Sequence, residues 1–284
     1  MTYTANFPET ELNVNDIRNI DVNSIPDFDV MLAGFPCQPF SQAGLRQGFD
    51  DEKGRGNLVF DLIRIAKQKK PKVLFFENVK NLKNHDEGKT LKTIISVLEK
   101  ELGYFVINKV FNTCEYTNIP QNRERIIIIA FKNKVDFEKF EWIEPIKLEN
   151  KIHDFIDFEN EQDEKYYYKD KKYKILYEKV MSSSTVFMWR RADCVRENKK
   201  NMCPCLLASM GEGGNNVPII KTFGGDIRKL TERECFNLQG FPQDFILPKN
   251  LSSCSLYKQA GNSVTVNLIK RLAKKILQTI DCTN

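Results

Sequence analysis

The chain has 284 residues and a formal net charge of +5, and 41% of its residues are hydrophobic. This length and composition predict one large domain, or one large and one small domain, with a mildly basic balance that suits a polyanionic partner. The eight cysteines have no repeating C-x-x-C spacing and there are two histidines, which argues against a metal site and favours reduced thiols. We find no signal-peptide pattern and no apolar run long enough to span a membrane, so we expect a cytoplasmic protein.

The first half of the chain alternates strand patterns with helix patterns. Strands are predicted over 28–33, 73–76, 105–111 and 125–131, and amphipathic helices over 57–69 and 89–102. This alternation predicts a doubly wound α/β sheet, a fold that places its chemistry at strand ends. A segment rich in glycine and charge, 42–57, follows the first strand, and it is either an ordinary surface loop or a lid that closes over a site.

The second half of the chain has a weaker pattern. Alternating charged and aromatic residues over 132–170 indicate a domain boundary and linker, and aromatic clusters at 166–168 and 187–189 then lie beside arginines and lysines. This interleaving fits either a solvated face over a small core or a nucleic-acid surface. Thr231 is a candidate helix N-cap, and a final amphipathic helix is predicted over 264–277.

The turn after the first strand carries a candidate nucleophile. Gly34 and Pro36 end the strand and place Cys37 at the apex of the turn. A thiol there is a nucleophile if its pKa is lowered or if a neighbouring base takes its proton. A lone cysteine is more often a buried structural residue, so its role depends on what the other strand ends carry.

Two further segments carry the groups that a reactive cysteine needs. Glu77-Asn78 follows the strand predicted over 73–76, and Pro120–Arg125 leads into the strand predicted over 125–131. Together with Cys37, these groups suit covalent attack on an electron-poor ring such as cytosine, whose carbon 5 is too weakly nucleophilic to take a methyl group unaided. Thiolate addition at carbon 6 turns carbon 5 into an enamine-like nucleophile, while a protonated carboxyl on ring nitrogen 3 and an arginine near the carbonyl oxygen stabilise the developing charge. Burial beside Phe75 and Phe76 is expected to raise the pKa of such a carboxyl.

Six segments, in this order along nearly the whole chain, resemble the DNA (cytosine-5) methyltransferase family of bacterial restriction–modification systems. They are Gly34-Phe35-Pro36-Cys37-Gln38-Pro39-Phe40-Ser41, Glu77-Asn78-Val79, Ile119–Arg125, Arg228–Glu234, Gln239-Gly240-Phe241-Pro242 and Gly261-Asn262-Ser263-Val264. The resemblance implies a methyltransferase fold similar to the Rossmann fold, with a mixed sheet and a smaller, loop-rich target-recognition domain. The catalytic domain is expected over 1–165 plus 257–284, and the target-recognition domain and hinge over 166–256.

The resemblance also implies roles for individual residues. Cys37 is the implied nucleophile and Glu77 the carboxyl that holds cytosine, while Arg123 and Arg125 lie at or near a base flipped out of the duplex, Arg125 more directly. S-adenosylmethionine is the implied methyl donor and double-stranded DNA the implied partner, with the 42–57 loop as the lid. The implied cofactor contacts are Asp16, Ile17, Pro36, Leu58, Asn262 and Ser263. No metal is implied.

The segment 189–218 lies where this family keeps its target-recognition region. Arginine and asparagine side chains suit the recognition of base edges in a groove. The candidate DNA contacts across the chain are Gln38, Ser41, Arg55, Arg190, Arg191, Arg196, Asn198 and Asn215.

The sequence departs from the family pattern in two places. The family begins with a strand and a Phe-x-Gly-x-Gly loop around the cofactor, followed by an acidic residue for the ribose, and this sequence is expected to start downstream of them. Cys205-Leu206 stands where the family usually has Thr-Leu, and Glu212 is an unfavourable charge for a phosphate-facing surface. Three interpretations follow: an enzyme completed by a separate chain that supplies the strand and loop, a truncated and non-catalytic DNA-binding remnant, or a structural partner subunit.

Overall fold

The computed structural model describes residues 1–36, 58–190, 194–198, 201–212 and 216–281. The chain divides into two compact units. The first unit contains Asn13–Phe111, Glu124–Trp142 and Ala273–Asn284, and the second contains Met1–Leu12, Asn112–Arg123 and Ile143–Leu272. The catalytic and target-recognition domains expected from the sequence are defined by function, and their boundaries stay a prediction.

A four-stranded sheet forms the centre of the first unit. Its strands are β1 (Val30–Gly34), β2 (Val73–Val79), β3 (Phe105–Asn112) and β4 (Glu124–Phe131), in the order β1-β2-β4-β3. β1 runs parallel to β2, and β2 runs antiparallel to β4. The mixed α/β sheet predicted from the sequence is therefore confirmed.

Both faces of the central strand β2 are buried. Leu74 and Phe76 pack in one hydrophobic cluster with residues of α2 (Leu58–Lys69) and α3 (Lys89–Ser96), which continues as a π-helical turn over Val97–Glu101. Val73 and Phe75 point to the opposite face, because strand side chains alternate, and they are buried too. An almost continuous apolar run is what a strand in the middle of a covered sheet requires.

The strand that carries Glu77 and Asn78 is longer than the sequence predicted. The apolar run indicated a strand over 73–76, whereas β2 continues to Val79 because Glu77, Asn78 and Val79 pair with Ile127, Ile126 and Arg125 of β4. The acidic residue therefore lies within the sheet rather than beyond the end of a strand.

The second unit has a smaller sheet and several short helices. Its strands β5 (Phe187–Arg190), β6 (Cys194–Glu197), β7 (Ile219–Lys221) and β8 (Ile227–Lys229) are antiparallel, in the order β6-β5-β7-β8. The remaining α-helices of the described residues are α1 (Thr2–Asn6), α4 (Thr113–Tyr116), α5 (Lys134–Lys139), α6 (Lys174–Lys179), α7 (Glu232–Leu238), α8 (Ser253–Asn262) and α9 (Val266–Asp281). Phe187 and Trp189 lie in a small core with Leu176 and Ile227, so these two rings stabilise the unit rather than form an exposed stacking surface.

The predicted N-cap at Thr231 is confirmed. The Thr231 side chain accepts a hydrogen bond from the backbone N–H of Glu234, and the Glu234 carboxylate accepts one from the backbone N–H of Thr231, which makes a capping box at the start of α7. The same carboxylate pairs with the fully buried Arg228, whose Nη1 lies 2.8 Å from Oε2 of Glu234. The Glu234 carboxylate therefore also compensates the buried charge of Arg228, which would destabilise the folded protein if it had no partner.

Candidate active site

A carboxylate and a guanidinium lie side by side in the first unit. Nε of Arg125 on β4 is 2.9 Å from Oε1 of Glu77 on β2, and the two side chains are 12% and 16% exposed. Arg125 pairs with Val79 in the sheet and Glu77 with Ile127, so the two residues are diagonal neighbours across the ladder. The sheet register therefore sets their distance.

The end of β1 approaches this pair closely. Gly34 pairs with Glu77, and a β-carbon added at Gly34 would lie 3.5 Å from Oε2 of Glu77. Position 34 therefore lies within van der Waals reach of the carboxylate.

Asn78 fixes the chain just beyond β1, a role that the sequence did not predict. Its buried side chain donates from Nδ2 to the carbonyl oxygen of Phe35 at 2.9 Å and accepts from the backbone N–H of Val79 at 2.8 Å. Phe35 also packs edge-on against Phe76, with ring centroids 6.0 Å apart. The signal in the sequence for this contact was the position of Asn78, an amide residue directly after the acidic Glu77.

The predicted cofactor residues of the first unit lie along one turn and one helix. Asp16 accepts hydrogen bonds from the side chain and the backbone N–H of Arg18, and these bonds lower the pKa of Asp16 to about 2. The carbonyl oxygens of Ile17 and Ile20 accept hydrogen bonds from Arg64 on α2, at 2.9 and 3.1 Å. Arg64 thus holds the turn that carries Asp16 and Ile17 against the helix that begins at Leu58. Pro36 is exposed at the end of a described segment.

Asn262 and Ser263, the predicted cofactor residues of the second unit, line an open groove of about 490 Å³ together with Ser255, Lys258 and Gln259. The hydroxyl of Ser263 donates to the carbonyl oxygen of Ala260 at 2.8 Å, while Asn262 is exposed. Lys258 was not predicted from the sequence, although its spacing of four residues from Asn262 places both residues on one face of α8.

Arg123, predicted at or near the base, is enclosed within the second unit. It is 2% exposed, and its guanidinium donates to the carbonyl oxygens of Leu206, Gly261 and Ser263. Arg125 and Glu77 lie together in the first unit. Their roles at a base stay predictions.

Two of the predicted DNA contacts share one face of the β5–β6 hairpin. Arg190 is paired with Cys194, and Arg196 with Met188, so the two exposed arginines are diagonal neighbours on the face opposite Trp189. Asn198 differs, because its side chain donates to the carbonyl oxygen of Met202 and closes the turn after β6. The predicted 42–57 lid and the other candidates lie outside the described residues. These candidates are Cys37, Gln38, Ser41, Arg55, Arg191 and Asn215.

Within the described ranges, no group of three or more His, Cys, Asp or Glu side chains is arranged to hold a metal ion. In the same part of the chain, no helix has the length and apolar character needed to cross a membrane.

The described cysteines form no disulfide, and burial raises the pKa of the Cys203 and Cys235 thiols well above the usual value. Such thiols are poor sources of thiolate.

Comparison with known proteins identifies the family. The family model for C-5 cytosine-specific DNA methylase matches residues 1–278. The Type II methyltransferase M.Bsp6I of Bacillus sp. (strain RFL6) is 50% identical over 283 residues, which are 99% of this chain and 88% of the relative. The Type II methyltransferase M.DsaV of Dactylococcopsis salina is 38% identical over 283 residues, with coverage of 99% and 77%.

Among solved structures, a mutant of Spodoptera frugiperda DNMT2 is similar with a TM-score of 0.71, at 20% identity, covering 97% of this chain and 88% of that chain. At this identity the likeness supports the fold alone. The family match and the curated relatives carry the assignment: the chain belongs to the C-5 cytosine-specific DNA methylase family. The class predicted from the sequence, DNA (cytosine-5) methyltransferase, is confirmed.

Proposed function

We propose that this protein transfers a methyl group from S-adenosylmethionine to carbon 5 of cytosine within a specific double-stranded DNA sequence, through a covalent Cys37 adduct on a flipped base. The observation that carries the proposal is the Glu77–Arg125 pair beside the end of β1. Because the substrate of the protein would be the DNA of the cell, we also propose that the protein acts in the cytoplasm close to the nucleoid.

The pair matches the edge of a cytosine ring. That edge presents a carbonyl oxygen, ring nitrogen 3 and an exocyclic amino group in a row. The Arg125 guanidinium can donate to the carbonyl oxygen, and the Glu77 carboxyl can hold nitrogen 3 and the amino group. Of the two arginines implied at or near the base, Arg125 is the one that we assign to this contact.

The same groups account for the activation of the ring. The Cys37 thiolate attacks carbon 6 and forms a carbon–sulfur bond, while nitrogen 3 takes a proton from the Glu77 carboxyl and carbon 5 becomes nucleophilic. S-adenosylmethionine, when bound, supplies an electrophilic methyl group. Once carbon 5 has taken the methyl group, it loses its proton to water, nitrogen 3 returns its proton to the Glu77 carboxylate, and the Cys37 thiolate leaves, which restores the neutral aromatic ring. Asn78 would help to position Cys37 for this reaction, because its side chain is hydrogen-bonded to the carbonyl oxygen of Phe35, two residues before Cys37.

The described residues fit the polar ends of S-adenosylmethionine. In the first unit, Asp16 offers an ionised carboxylate, on a turn held by Arg64, to a donor such as a ribose hydroxyl or the amino group. In the second unit, Asn262 and Lys258 line a groove and offer an amide and an ammonium to the carboxylate end. We propose Asp16, Ile17, Pro36, Leu58, Asn262 and Ser263 as the residues that hold the cofactor.

The covalent step is tested with DNA that contains 5-fluorocytosine, whose fluorine cannot leave as a proton does. In the presence of S-adenosylmethionine and a peptide that supplies a strand and a Phe-x-Gly-x-Gly loop, we expect the wild-type protein to form a denaturation-resistant adduct and Cys37→Ser to form none. Glu77→Gln should bind the DNA with near-normal affinity and form the adduct about 10²–10⁴ times more slowly, because it cannot protonate nitrogen 3.

The exposed Cys254 provides the matched control, since Cys254→Ser should trap DNA as well as the wild type does. Trapping by Cys37→Ser would assign the nucleophile to another residue. Equal losses of DNA affinity and adduct rate in Glu77→Gln would give Glu77 a structural role.

We further propose that the segment from Trp189 to Asn216 contacts the DNA, with Arg190 and Arg196 facing it. The support is their shared outward face on a hairpin whose other face is anchored in a core. Two cations on one face of a hairpin are suited to bind phosphate oxygens or guanine edges.

If Arg190 and Arg196 bind phosphate, replacing either by Gln should weaken binding to all DNA sequences alike. The slope of log affinity against log salt should become shallower by about 0.9 per lost contact. If they recognise bases, the loss should be confined to the cognate sequence, at about 1–3 kcal/mol for each residue. Lys174→Gln on the exposed face of α6 is the control, and unchanged affinity and slope in both arginine variants would remove them from the interface.

The edge of the first sheet offers a place for an additional strand. Among the described strands β1 is terminal in the sheet, and Leu32 at its centre is 61% exposed although its neighbour Phe75 in β2 is buried. An uncovered apolar strand edge tends to pair with another chain. We propose that a strand followed by a Gly-rich cofactor loop, carried by a separate chain, pairs with β1 and completes the cofactor site.

This proposal predicts weak binding of S-adenosylmethionine by the chain alone. A peptide with a strand and a Phe-x-Gly-x-Gly loop should raise the affinity about ten- to a hundredfold in a calorimetric titration, and a scrambled peptide should not. Micromolar binding and turnover without any peptide would contradict it.

A further inference from the structure

A buried polar cluster lies at the centre of the second unit. Gln121, Arg123 and Gln239 are each at most 2% exposed, although all three carry polar groups that water would otherwise satisfy. Burial of such groups is tolerated when they are hydrogen-bonded, so their partners show which parts of the chain the cluster holds together.

Arg123 connects two segments that are far apart in sequence. Its Nη1 donates to the carbonyl oxygen of Leu206 at 2.7 Å and lies 3.6 Å from Sγ of Cys205. Its Nη2 donates to the carbonyl oxygens of Gly261, at 3.1 Å, and Ser263. The planar guanidinium reaches both segments at once, which the single ammonium of a lysine cannot do equally well.

Gln121 and the adjoining backbone strengthen the same connection. The side-chain oxygen of Gln121 accepts from the backbone N–H of Leu206 at 3.2 Å, and its amide donates to the carbonyl oxygen of Leu238 at 2.7 Å. Backbone hydrogen bonds also join Cys203 to Pro120 and Asn122, at 2.7 and 2.9 Å. The segment 203–206 is thus held along its whole length.

Two glycines bring the next residues of that segment into direct backbone contact with α8. A β-carbon on Gly261 would lie 2.1–2.3 Å from backbone atoms of Leu207 and Ala208, and one on Gly211 would lie 2.3 Å from the carbonyl oxygen of Cys254. No side chain fits at either point. The segment 203–212, which we call the docked segment, therefore has little freedom to move against the helix that ends at Asn262.

We propose that Arg123 is a positioning residue that fixes the docked segment to the Asn262–Ser263 turn, so that sequence recognition and cofactor binding share one rigid element. This assignment rests on the proposed function, in which the docked segment belongs to the DNA-contacting region and the turn to the cofactor site. It gives Arg123 a role through other residues, since an enclosed guanidinium that already serves three carbonyl oxygens is not placed to meet a base.

The test compares Arg123→Lys with Arg271→Lys. Arg271 is the matched control, because it also donates to two backbone carbonyl oxygens, those of Tyr116 and Glu144, but to neither segment. In ligand-free protein, we expect hydrogen exchange to rise at 203–208 and at 261–265 together in Arg123→Lys, and at neither segment in Arg271→Lys.

The kinetic readout separates positioning from contact with the base. A positioning role predicts that the dissociation constant for S-adenosylmethionine rises about tenfold or more in Arg123→Lys, the effect of roughly one charge-assisted hydrogen bond. The single-turnover rate at saturating cofactor and DNA should fall much less. An unchanged dissociation constant and unchanged exchange, with a rate lowered a hundredfold, would overturn the proposal.

A measurement on the wild-type protein keeps the test independent of how well the variant folds. Binding of S-adenosylmethionine should slow hydrogen exchange at 204–208 as well as at 262–265, and protection confined to 262–265 would contradict the coupling. If the wild type neither binds the cofactor nor methylates DNA even with the strand peptide present, the proposed function fails. The ligand-free exchange comparison still decides the role of Arg123 in that case.

Discussion

The structure depends on one constraint, which is that polar groups removed from water must find partners in the protein. The stretch from Gln121 to Arg125 supplies such partners from side chains at alternate positions. Gln121 and Arg123 satisfy carbonyl and amide groups of the second unit, and Arg125 pairs with Glu77 in the first. Because the chain passes from one unit to the other between Arg123 and Glu124, this short stretch supplies polar contacts to both.

Within the first unit, the pairing of the strands brings together the polar groups of the proposed site. The pairing of β2 with β4 brings Arg125 to Glu77, and the pairing of β1 with β2 brings Gly34 beside the same carboxylate. Asn78, the next residue, holds the carbonyl group of Phe35. A slip of one residue in the pairing of β2 with β4 would turn the Glu77 side chain to the opposite face of the sheet, away from Arg125.

Much of this arrangement was predictable from the sequence, because it follows from local patterns. Apolar runs indicated the strands of the first unit, helical spacing indicated α2 and α3, and Thr231 indicated a cap. Long-range register was not predictable, so the extension of β2 through Glu77 and Asn78 became visible only in its pairing with β4. The partners of Arg123 lie 83, 138 and 140 residues further along the chain, and no local pattern indicates them. Among the DNA candidates, Arg190 and Arg196 share an exposed face, whereas Asn198 closes a turn, a difference that composition cannot reveal.

In the proposed reaction, a cytosine ring is activated by attack at carbon 6 and methylated at carbon 5. This reaction can be followed with DNA that carries tritium on carbon 5 of the target cytosines, incubated with the protein and S-adenosylmethionine, and with the strand peptide if binding requires it. We expect tritium to be released to water in step with methyl transfer, because the proton on carbon 5 must leave before the Cys37 thiolate does. Methyl transfer with the tritium retained in the DNA would rule out this reaction, since it would place the new methyl group on a different atom of the base.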